Sequence, residues 1–533
     1  MIRPAASPRS SPIGDSTRWH WLLAGGLAVL LAFRLAALWA NGTDLYFDEA
    51  QYWSWSREPA FGYYSKPPLI AWLIAATTTV CGATEPCVRL SSPILHTATA
   101  LVIAALGTRL YDVRTGALAG LAFATLPGVS LSSGIVSTDV PLLFCWAGAL
   151  YGFHGLVATR AWAPALILGV AFGLGLNAKY AMAWFLISAA LYLALTPGAR
   201  HVLKDTRLWT AFALGVAALV PNMIWNAQHS FATVGHTADN ANWGASLFHP
   251  GKALEFFGAQ FGVFGPVLFG ALLVITWRAY KQGVPEADRY LLAFTWPLIA
   301  LITVQAFLSR AHANWAAVSY VAATPLVVAT MIRNLDWRWL KASFAINVAA
   351  LLLLAGGLAA IGRVALPVRV QAIENVQGWR AVAEATRAEL EAARKTGQPY
   401  AAVLSDERAL TAELLYYMQG EPTPVEAWRE GGRPHDHYEL TRAYTGARPG
   451  PVLLVAMRPD PGKILSAFES VREIGPRVVK AGLNGERRLV LYALSGLKRK
   501  MSRTRRPPAT KPGAQPDVAS APDGTLVLLY NSS

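Results

Sequence analysis

Acidic and basic residues gather in one stretch that follows the first long apolar run of the chain. Asp48 and Glu49 are adjacent there, and Lys66 follows just before two prolines. A carboxylate can take a proton from an incoming hydroxyl or amine, and a cation can neutralise a phosphate leaving group. The stretch therefore contains the residue types needed to transfer a group from a phosphate-linked donor to a nucleophile.

Two further ionisable residues extend this set. Asp139 occupies a short polar connection between apolar runs, and Arg34 lies inside the first run, near the end that leads to Asp48. An ionisable side chain within a membrane span is costly and is a functional candidate by default, so Arg34 joins Lys66 as a candidate for the donor phosphate. Structural roles are the alternatives, because carboxylates also stabilise helix N-termini and long cationic side chains also extend to lipid headgroups.

Tyrosines and histidines are the candidates for substrate contact. Tyr52, Tyr63 and Tyr64 accompany the acidic pair, while His229 and His236 lie in a later polar connection. Aromatic residues at the ends of spans also form interfacial belts, and a histidine in an ordered loop is at least as commonly a hydrogen-bonded structural residue. Both interpretations stay open for these residues.

The cysteines give no metal-binding motif. Cys81 and Cys87 fall in one connection, where a disulfide can form if that connection faces an oxidising compartment, and Cys145 stands apart. No cofactor is predicted from the sequence. A divalent metal stays an open alternative without a clear motif to support it.

Composition identifies the class of protein that carries these residues. Of the 533 residues, 54% are hydrophobic and only 15% are charged, against about 25% charged in soluble proteins. Apolar runs close to the roughly 20 residues that cross a bilayer follow one another through the middle of the chain, which predicts a polytopic α-helical membrane protein with about eleven spans. The predicted spans are 20–40, 90–108, 116–135, 140–158, 161–178, 180–197, 208–226, 254–276, 290–308, 313–332 and 341–361.

The basic residues of the connections predict the orientation of the spans. They concentrate in alternate connections, at residues 109–114, 160, 200–207, 278–289 and 333–341. The positive-inside rule places these connections and the N-terminus in the cytoplasm, so the acidic pair, Asp139 and everything after residue 362 face outward. Residues 67–82 are apolar but short for a span, and we predict that they form an interfacial or re-entrant helix.

Three regions are predicted along the chain. Residues 1–362 form a membrane catalytic domain, residues 363–496 a small mixed α/β domain on the periplasmic side, and residues 497–533 a basic, disordered tail. The net charge of +15 does not indicate nucleic acid, because most basic residues lie in short connections and in the tail, as expected beside the anionic lipids of a bilayer.

Two motifs resemble a known family. The sequences FDEAQYW, at residues 47–53, and YYSKPPL, at residues 63–69, are similar to the first outer loop of the GT-C glycosyltransferases. The resemblance is to the bacterial branch of protein O-mannosyltransferases, aminoarabinose transferases and Rgt-type galacturonosyltransferases. It covers roughly residues 20–335 and continues through residues 89–92, 137–141, 225–231 and 314–315.

The resemblance implies a polyprenyl-phosphate-linked sugar as donor and inverting transfer on the outer face of the bacterial inner membrane. The acceptor would be lipid A or lipopolysaccharide, another glycan or a protein. By position, Asp48 matches the catalytic acidic residue and Glu49 its partner. Lys66 matches the phosphate-binding lysine, and Asp139 matches the acidic residue of the second outer loop.

One residue departs from the family pattern. Ser65 stands where some aminoarabinose-type members have a glutamate, which argues against a metal site at that position. A transporter or flippase of lipid-linked sugars is the alternative function, since it would share the spans and the basic connections. A non-catalytic membrane anchor is a second alternative, and loss of sugar transfer on mutation of Asp48 would separate the enzyme from both.

Overall fold

The computed structural model of the chain describes residues 13–239, 247–364, 371–458, 460–483 and 485–498. The chain divides into two compact units, with the division between residues 366 and 367. The predicted disordered tail lies, from residue 499 onward, outside the described residues.

The first unit is built from helices. Short 3₁₀ helices at Tyr180–Trp184, Pro197–Lys204 and Ala313–Ala316 connect some of them. The α-helices are α1 (Ile13–Ala40), α2 (Phe47–Ser56), α3 (Leu69–Cys81), α4 (Glu85–Arg89), α5 (Ser91–Leu110), α6 (Val113–Thr125), α7 (Pro127–Ser132), α8 (Asp139–Thr159), α9 (Trp162–Ala178), α10 (Phe185–Leu195), α11 (Thr206–Gln228), α12 (Ala232–Asp239), α13 (Pro250–Val263), α14 (Pro266–Gln282), α15 (Glu286–Leu308), α16 (Ser319–Arg333) and α17 (Trp337–Ala360).

Among the described residues, six helical segments are long and apolar enough to cross a membrane, and a seventh arises if α13 and α14 count as one bent span. The predicted class, a polytopic helical membrane protein, is confirmed, whereas the count of about eleven spans is not. The other predicted spans are shorter helices or are interrupted. The six segments are Ser16–Ala40, Glu85–Leu110, Asp139–Thr159, Thr206–Gln228, Glu286–Leu308 and Trp337–Ala360.

Local backbone chemistry explains the interruptions. Pro127 begins α7 after Leu126, whose ψ of 139° is not helical, and this divides the predicted span 116–135. Gly265, with a φ of 88°, precedes Pro266, and the helix direction bends there by 115° between α13 and α14. Proline lacks the amide N–H that a continuous helix requires, and glycine accepts a positive φ without strain.

Helix α3 agrees with the prediction of a short helix at residues 67–82. It has 13 residues and therefore a length of about 20 Å, whereas a span must cross about 30 Å of hydrocarbon. A disulfide joins Cys81, the last residue of α3, to Cys87 in α4.

Helices α8 and α9 form a tight hairpin that matters for the site. Arg160 and Ala161 alone separate the two helices, and Arg160 adopts a left-handed conformation with a φ of 52°. A Cβ on Gly152 would lie 2.7 Å from the backbone nitrogen of Leu168, so glycine permits the close approach. The hairpin returns the end of α9 to the beginning of α8, where Asp139 lies.

The second unit contains a five-stranded mixed sheet, which confirms the predicted α/β class of this part of the chain. The strand order is β2-β1-β3-β5-β4, in which β1 pairs in parallel with β2 and β3, and β5 pairs antiparallel with β3 and β4. The strands are β1 (Ala402–Ser405), β2 (Val425–Ala427), β3 (Val452–Ala456), β4 (Phe468–Ala481) and β5 (Gly485–Leu497). The helices are α18 (Gln371–Glu374), α19 (Trp379–Lys395), α20 (Arg408–Tyr417), α21 (His437–Thr441) and α22 (Gly462–Leu465).

Candidate active site

Glu49, in the first turn of α2, is held by a buried arginine. The side chain of Arg89 donates from Nε to Oε1 of Glu49 at 2.9 Å and from Nη2 to Oε2 at 2.7 Å. The backbone N–H groups of Tyr46 and Val136 also donate to this carboxylate, at 2.9 and 2.8 Å. The side chains of Arg89 and Glu49 are only 1% and 3% exposed, so Glu49 joins α2, α4 and the connection before α8 in a charge-assisted network.

Asp139, the first residue of α8, is also paired. Its Oδ1 accepts a hydrogen bond from Nζ of Lys179 at 2.7 Å, and its Oδ2 accepts one from Nδ2 of Asn314 at 2.6 Å. Lys179 follows α9 in an extended conformation, and Asn314 lies in the 3₁₀ helix Ala313–Ala316. Two separate connections therefore converge on the carboxylate at the start of α8, and Asn314 contacts it directly.

Further basic residues lie near the ion pair of Asp139 and Lys179. The pKa of His312 is lowered to about 4, first by burial and then by the positive charges of Arg310, Lys179 and Lys66. We call these four residues the cationic cluster. Such a group of charges favours an anion with several oxygens, and phosphate is the anion that such clusters commonly bind.

The segment that carries Lys66 folds against the helix that carries Asp48. The ring of Tyr63 stacks on Trp55 of α2 with centroids 4.7 Å apart, and its hydroxyl donates to the backbone carbonyl of Trp55 at 2.9 Å. Asp48 and Tyr52 are both buried on α2. The ring centroids of Tyr52 and Trp55 are 5.2 Å apart. Burial raises the pKa of Tyr63 to about 12, which keeps its hydroxyl protonated in a structural hydrogen bond.

Helices α11 and α12 fix the same segment from another side. The side chain of Asn222 donates to the carbonyl of Phe61 at 2.7 Å, and the hydroxyl of Thr233 donates to the carbonyl of Tyr63 at 2.6 Å. A Cβ on Gly62 would lie 2.6 Å from the ring of Trp225, so only glycine fits here without displacement. The backbone that leads to Lys66 is therefore bound on both sides.

The two candidate histidines have different surroundings. His229 stacks on Trp225 with ring centroids 4.1 Å apart, and its Nδ1 contacts the carbonyl of Trp225 at 2.8 Å. The ring of His236, on α12, packs near the ring of Tyr64, with the two ring centroids 5.5 Å apart. Tyr64 is two residues from Lys66 in the chain. Of the two histidines, His236 is the one whose ring contacts a neighbour, Tyr64, that is close in the chain to Lys66 of the cationic cluster.

Arg34 makes its described hydrogen bond to a different helix. It is buried in α1, and its Nη2 donates to the carbonyl of Ala124, near the C-terminal end of α6. A cation at that end of a helix interacts favourably with the carbonyl groups left without helical partners. The hydrogen bond of Arg34 that the structure describes goes to α6 and not to a residue of the cationic cluster, and a role at the donor phosphate stays a prediction.

Metal ligands do not cluster in the described part of the chain, where no group of three or more His, Cys, Asp or Glu residues could hold an ion. The Cys81–Cys87 disulfide closes the turn before Arg89, the partner of Glu49. This covalent link restrains the backbone that presents the arginine.

Sequence reasoning missed Lys179, Arg310 and His312. Arg310 and His312 lie in a connection that was predicted to face outward, where the positive-inside rule leads one to expect few basic residues. Two basic residues in a connection predicted to face outward depart from that rule, and this departure could have identified them as candidate site residues. Lys179 carried a second signal, because a hairpin of two spans that begins at Asp139 returns to its starting level near residue 179.

Known proteins are similar to this chain in sequence. Residues 65–225 match the family model described as dolichyl-phosphate-mannose-protein mannosyltransferase. Over 435 residues the chain is 36% identical to the lipid A galacturonosyltransferase RgtD of Rhizobium johnstonii, which covers 81% of this chain and 90% of that protein. It is 30% identical over 186 residues to the lipopolysaccharide core galacturonosyltransferase RgtA of the same organism, which covers 34% of this chain and 37% of that protein.

A solved structure has the same fold. The crystal structure of ArnT from Cupriavidus metallidurans in the apo state superposes with a TM-score of 0.59 at 16% identity, covering 90% of this chain and 98% of that one. The fold and the similarity to transferases define a membrane glycosyltransferase of the GT-C class. The chain belongs to the Rgt-type family of these enzymes, as the motifs at residues 47–53 and 63–69 predicted. The relatives that the chain matches are transferases, which does not support the alternative function of a transporter.

Proposed function

We propose that this enzyme transfers galacturonic acid from a polyprenyl phosphate to lipid A on the periplasmic face of the bacterial inner membrane. The cationic cluster carries the proposal, because a phosphate-linked donor needs positive charge where its phosphate leaves. Galacturonic acid and lipid A are supported by the 36% identity to RgtD, a lipid A galacturonosyltransferase. A polyprenyl carrier is supported by the fold shared with ArnT, which has been solved bound to undecaprenyl phosphate.

Asp48 is the proposed general base. As the acceptor hydroxyl oxygen attacks the anomeric carbon, Asp48 takes the hydroxyl proton. The bond between that carbon and the phosphate oxygen breaks, and the polyprenyl phosphate leaves with the bonding electrons. Lys66, Lys179 and Arg310 stabilise the charge that develops on the phosphate. Attack from the side opposite to the leaving group inverts the configuration of the sugar.

Glu49 and Asp139 have supporting roles in this mechanism. Both oxygens of Glu49 are bound to Arg89 and to backbone N–H groups, so it positions α2 and with it Asp48. Both oxygens of Asp139 are bound to Lys179 and Asn314, so it orients Lys179 toward the phosphate. Tyr64 and His236 are the proposed contacts to the sugar, since their rings pack together beside the segment of Lys66.

The periplasmic position of the site is part of the proposal. The alternating basic connections support it, and so does the disulfide between Cys81 and Cys87, since stable disulfides form in the periplasm rather than in the cytoplasm. The same orientation makes residues 363–496 a periplasmic domain and residues 497–533 its basic tail. A reporter that is active only in the periplasm, fused after Leu497, should be active, and cytoplasmic activity would contradict this orientation.

The decisive test is Asp48→Asn in purified enzyme with undecaprenyl-phosphate galacturonic acid and lipid A. The substitution keeps the shape of the side chain but removes its basic oxygen, so turnover should fall by about 10²–10⁴-fold with little change in donor affinity. Mass spectrometry of lipid A reports the added hexuronic acid. Glu58→Gln, at an exposed acidic residue of the same loop, is the matched control and should turn over normally.

Two results would change the assignment. If Asp48→Asn kept near-normal turnover while Asp139→Asn abolished it, the base would be Asp139. If both variants turned over normally, the mechanism proposed for this site would fail.

A further inference from the structure

Arg34 is a buried cation whose hydrogen-bonding capacity is only partly used. Its side chain donates from Nη2 to the carbonyl of Ala124. Its Nε and Nη1 are buried and have no hydrogen-bond partner among the described residues. Buried polar groups are almost always satisfied, and an uncompensated buried charge is unfavourable, so these two N–H groups indicate that a further ligand binds here.

A cleft between α1, α7 and α17 has Arg34 among its lining residues. It has about 350 Å³ of empty space, including its open mouth. Ser130, whose hydroxyl is also buried without a described partner, and Ser133 line the cleft beside Arg34. Leu351 and Leu358 of α17 form an apolar wall. The cleft therefore has a polar side at Arg34 and Ser130 and an apolar wall on α17.

The walls of the cleft indicate where the ligand comes from. Helices α1 and α17 are both candidate membrane spans with mostly exposed apolar surfaces, which is the pattern of lipid-facing helices. A lipid with a phosphate group matches both parts of the cleft, because an anionic oxygen would bind the guanidinium and acyl chains would pack on the leucines.

We propose that Arg34 binds a phosphate oxygen of a membrane lipid at a site separate from the donor phosphate site. The side chain of Asn41, in the same cleft, donates to the carbonyl of Gly134 at 3.3 Å. Gly134 belongs to the connection that also holds Val136 and leads into Asp139. The bound lipid is thus next to the backbone that positions the candidate active site, and it is either bulk phospholipid or the acceptor itself.

Lipid binding to the full-length enzyme can be measured by native mass spectrometry with phosphatidylglycerol, and with diacylglycerol as the lipid that lacks phosphate. Arg34→Gln should weaken phosphatidylglycerol binding about tenfold, the effect of losing one charge-assisted hydrogen bond. Ala355→Leu fills the cleft while leaving the bond from Arg34 to Ala124 intact, and it should have the same effect. Arg57→Gln, at an exposed arginine of the same predicted face, is the control for general charge and should change nothing.

The outcomes separate the sources of the phosphate. A raised KM for lipid A in both Arg34→Gln and Ala355→Leu, with the donor KM unchanged, identifies the acceptor as the ligand. Weaker phosphatidylglycerol binding with an unchanged KM for lipid A identifies bulk phospholipid. If both variants bound phosphatidylglycerol as the wild type does and also kept the wild-type KM for lipid A, Arg34 would bind no lipid phosphate and the proposal would be overturned. A raised donor KM with normal lipid binding would also overturn it. Lipid binding measured by native mass spectrometry needs no turnover, so its result does not depend on whether the proposed reaction is correct.

Discussion

Replacing Glu49 with glutamine tests whether this residue is structural or chemical. The carboxylate accepts four hydrogen bonds, two from Arg89 and one each from the backbone of Tyr46 and Val136. Glutamine offers one accepting oxygen, and its NH₂ group would face N–H donors. Arg89, whose side chain is 1% exposed, would lose the ion pair and the two charge-assisted hydrogen bonds that it makes with Glu49. Removing one partner of such a pair costs about 3–5 kcal/mol.

The assay is the unfolding of the purified protein in detergent, measured by its thermal midpoint and by reversible denaturation relative to the wild type. Glu255→Gln is the matched control, because Glu255 pairs with Lys252 on the surface and both side chains are 58% exposed. That substitution should cost less than about 1 kcal/mol. The double variant Glu49→Gln with Arg89→Met removes both buried charges and should recover part of the lost stability.

One result would refute the structural interpretation of Glu49. If Glu49→Gln were as stable as Glu255→Gln but had lost turnover, the carboxylate would take part in the chemistry rather than hold α2. Loss of stability together with loss of turnover, and partial recovery of both in the double variant, would support a positioning role. The two outcomes differ in measured stability and do not depend on knowing the acceptor.

Three further substitutions test individual parts of the site. Lys66→Ala should raise the donor KM or lower kcat/KM with the acceptor KM nearly unchanged, and an effect on the acceptor alone would contradict the assignment. Gly62→Ala should destabilise the protein by about 1–3 kcal/mol, since the added methyl group meets the ring of Trp225, and an unchanged thermal midpoint would refute this. Cys87→Ser should lower stability by about 2 kcal/mol for a short loop and make it insensitive to reductant, whereas the wild type should lose stability when Cys81 and Cys87 are reduced.

The class of fold could be predicted because hydrophobic length is a local property of the sequence. Every predicted span contains helix, and the short run at residues 67–82 became the 13-residue helix α3. The number of spans was not predictable in the same way. Hydropathy averages over a window, so it does not register a single backbone break such as the one at Gly265 and Pro266.

The candidate site was only partly predictable for a related reason. Asp48, Glu49 and Lys66 belong to one stretch, so their types and spacing could be recognised together. The partners of the carboxylates come from distant parts of the chain: Arg89 lies 40 residues from Glu49, and Asn314 lies 175 residues from Asp139. Without helix packing to bring them together, nothing in the local sequence distinguishes these partners from other polar residues.

His312 offers a test of the cationic cluster that uses pH. Its pKa is lowered to about 4 by burial and by the charges of Arg310, Lys179 and Lys66, so it is neutral at pH 7 without ligand. Asp139, which pairs with Lys179, is the nearby carboxylate with a described bond to the cluster. A bound phosphate would offset the positive charges and raise the pKa of His312, so binding would take up a proton.

The proton taken up on binding determines whether lower pH strengthens or weakens the binding of phosphate. Because the bound state holds the proton more tightly than the free state, affinity for undecaprenyl phosphate should increase as pH falls through the raised pKa of the bound state toward about 4, by up to about tenfold per pH unit. The phosphate itself loses charge below about pH 6, which weakens binding. The informative quantity is therefore the difference between the wild type and His312→Gln, with His435→Gln, at an exposed histidine, as control. Parallel pH profiles for the wild type and His312→Gln would show that His312 does not sense the phosphate.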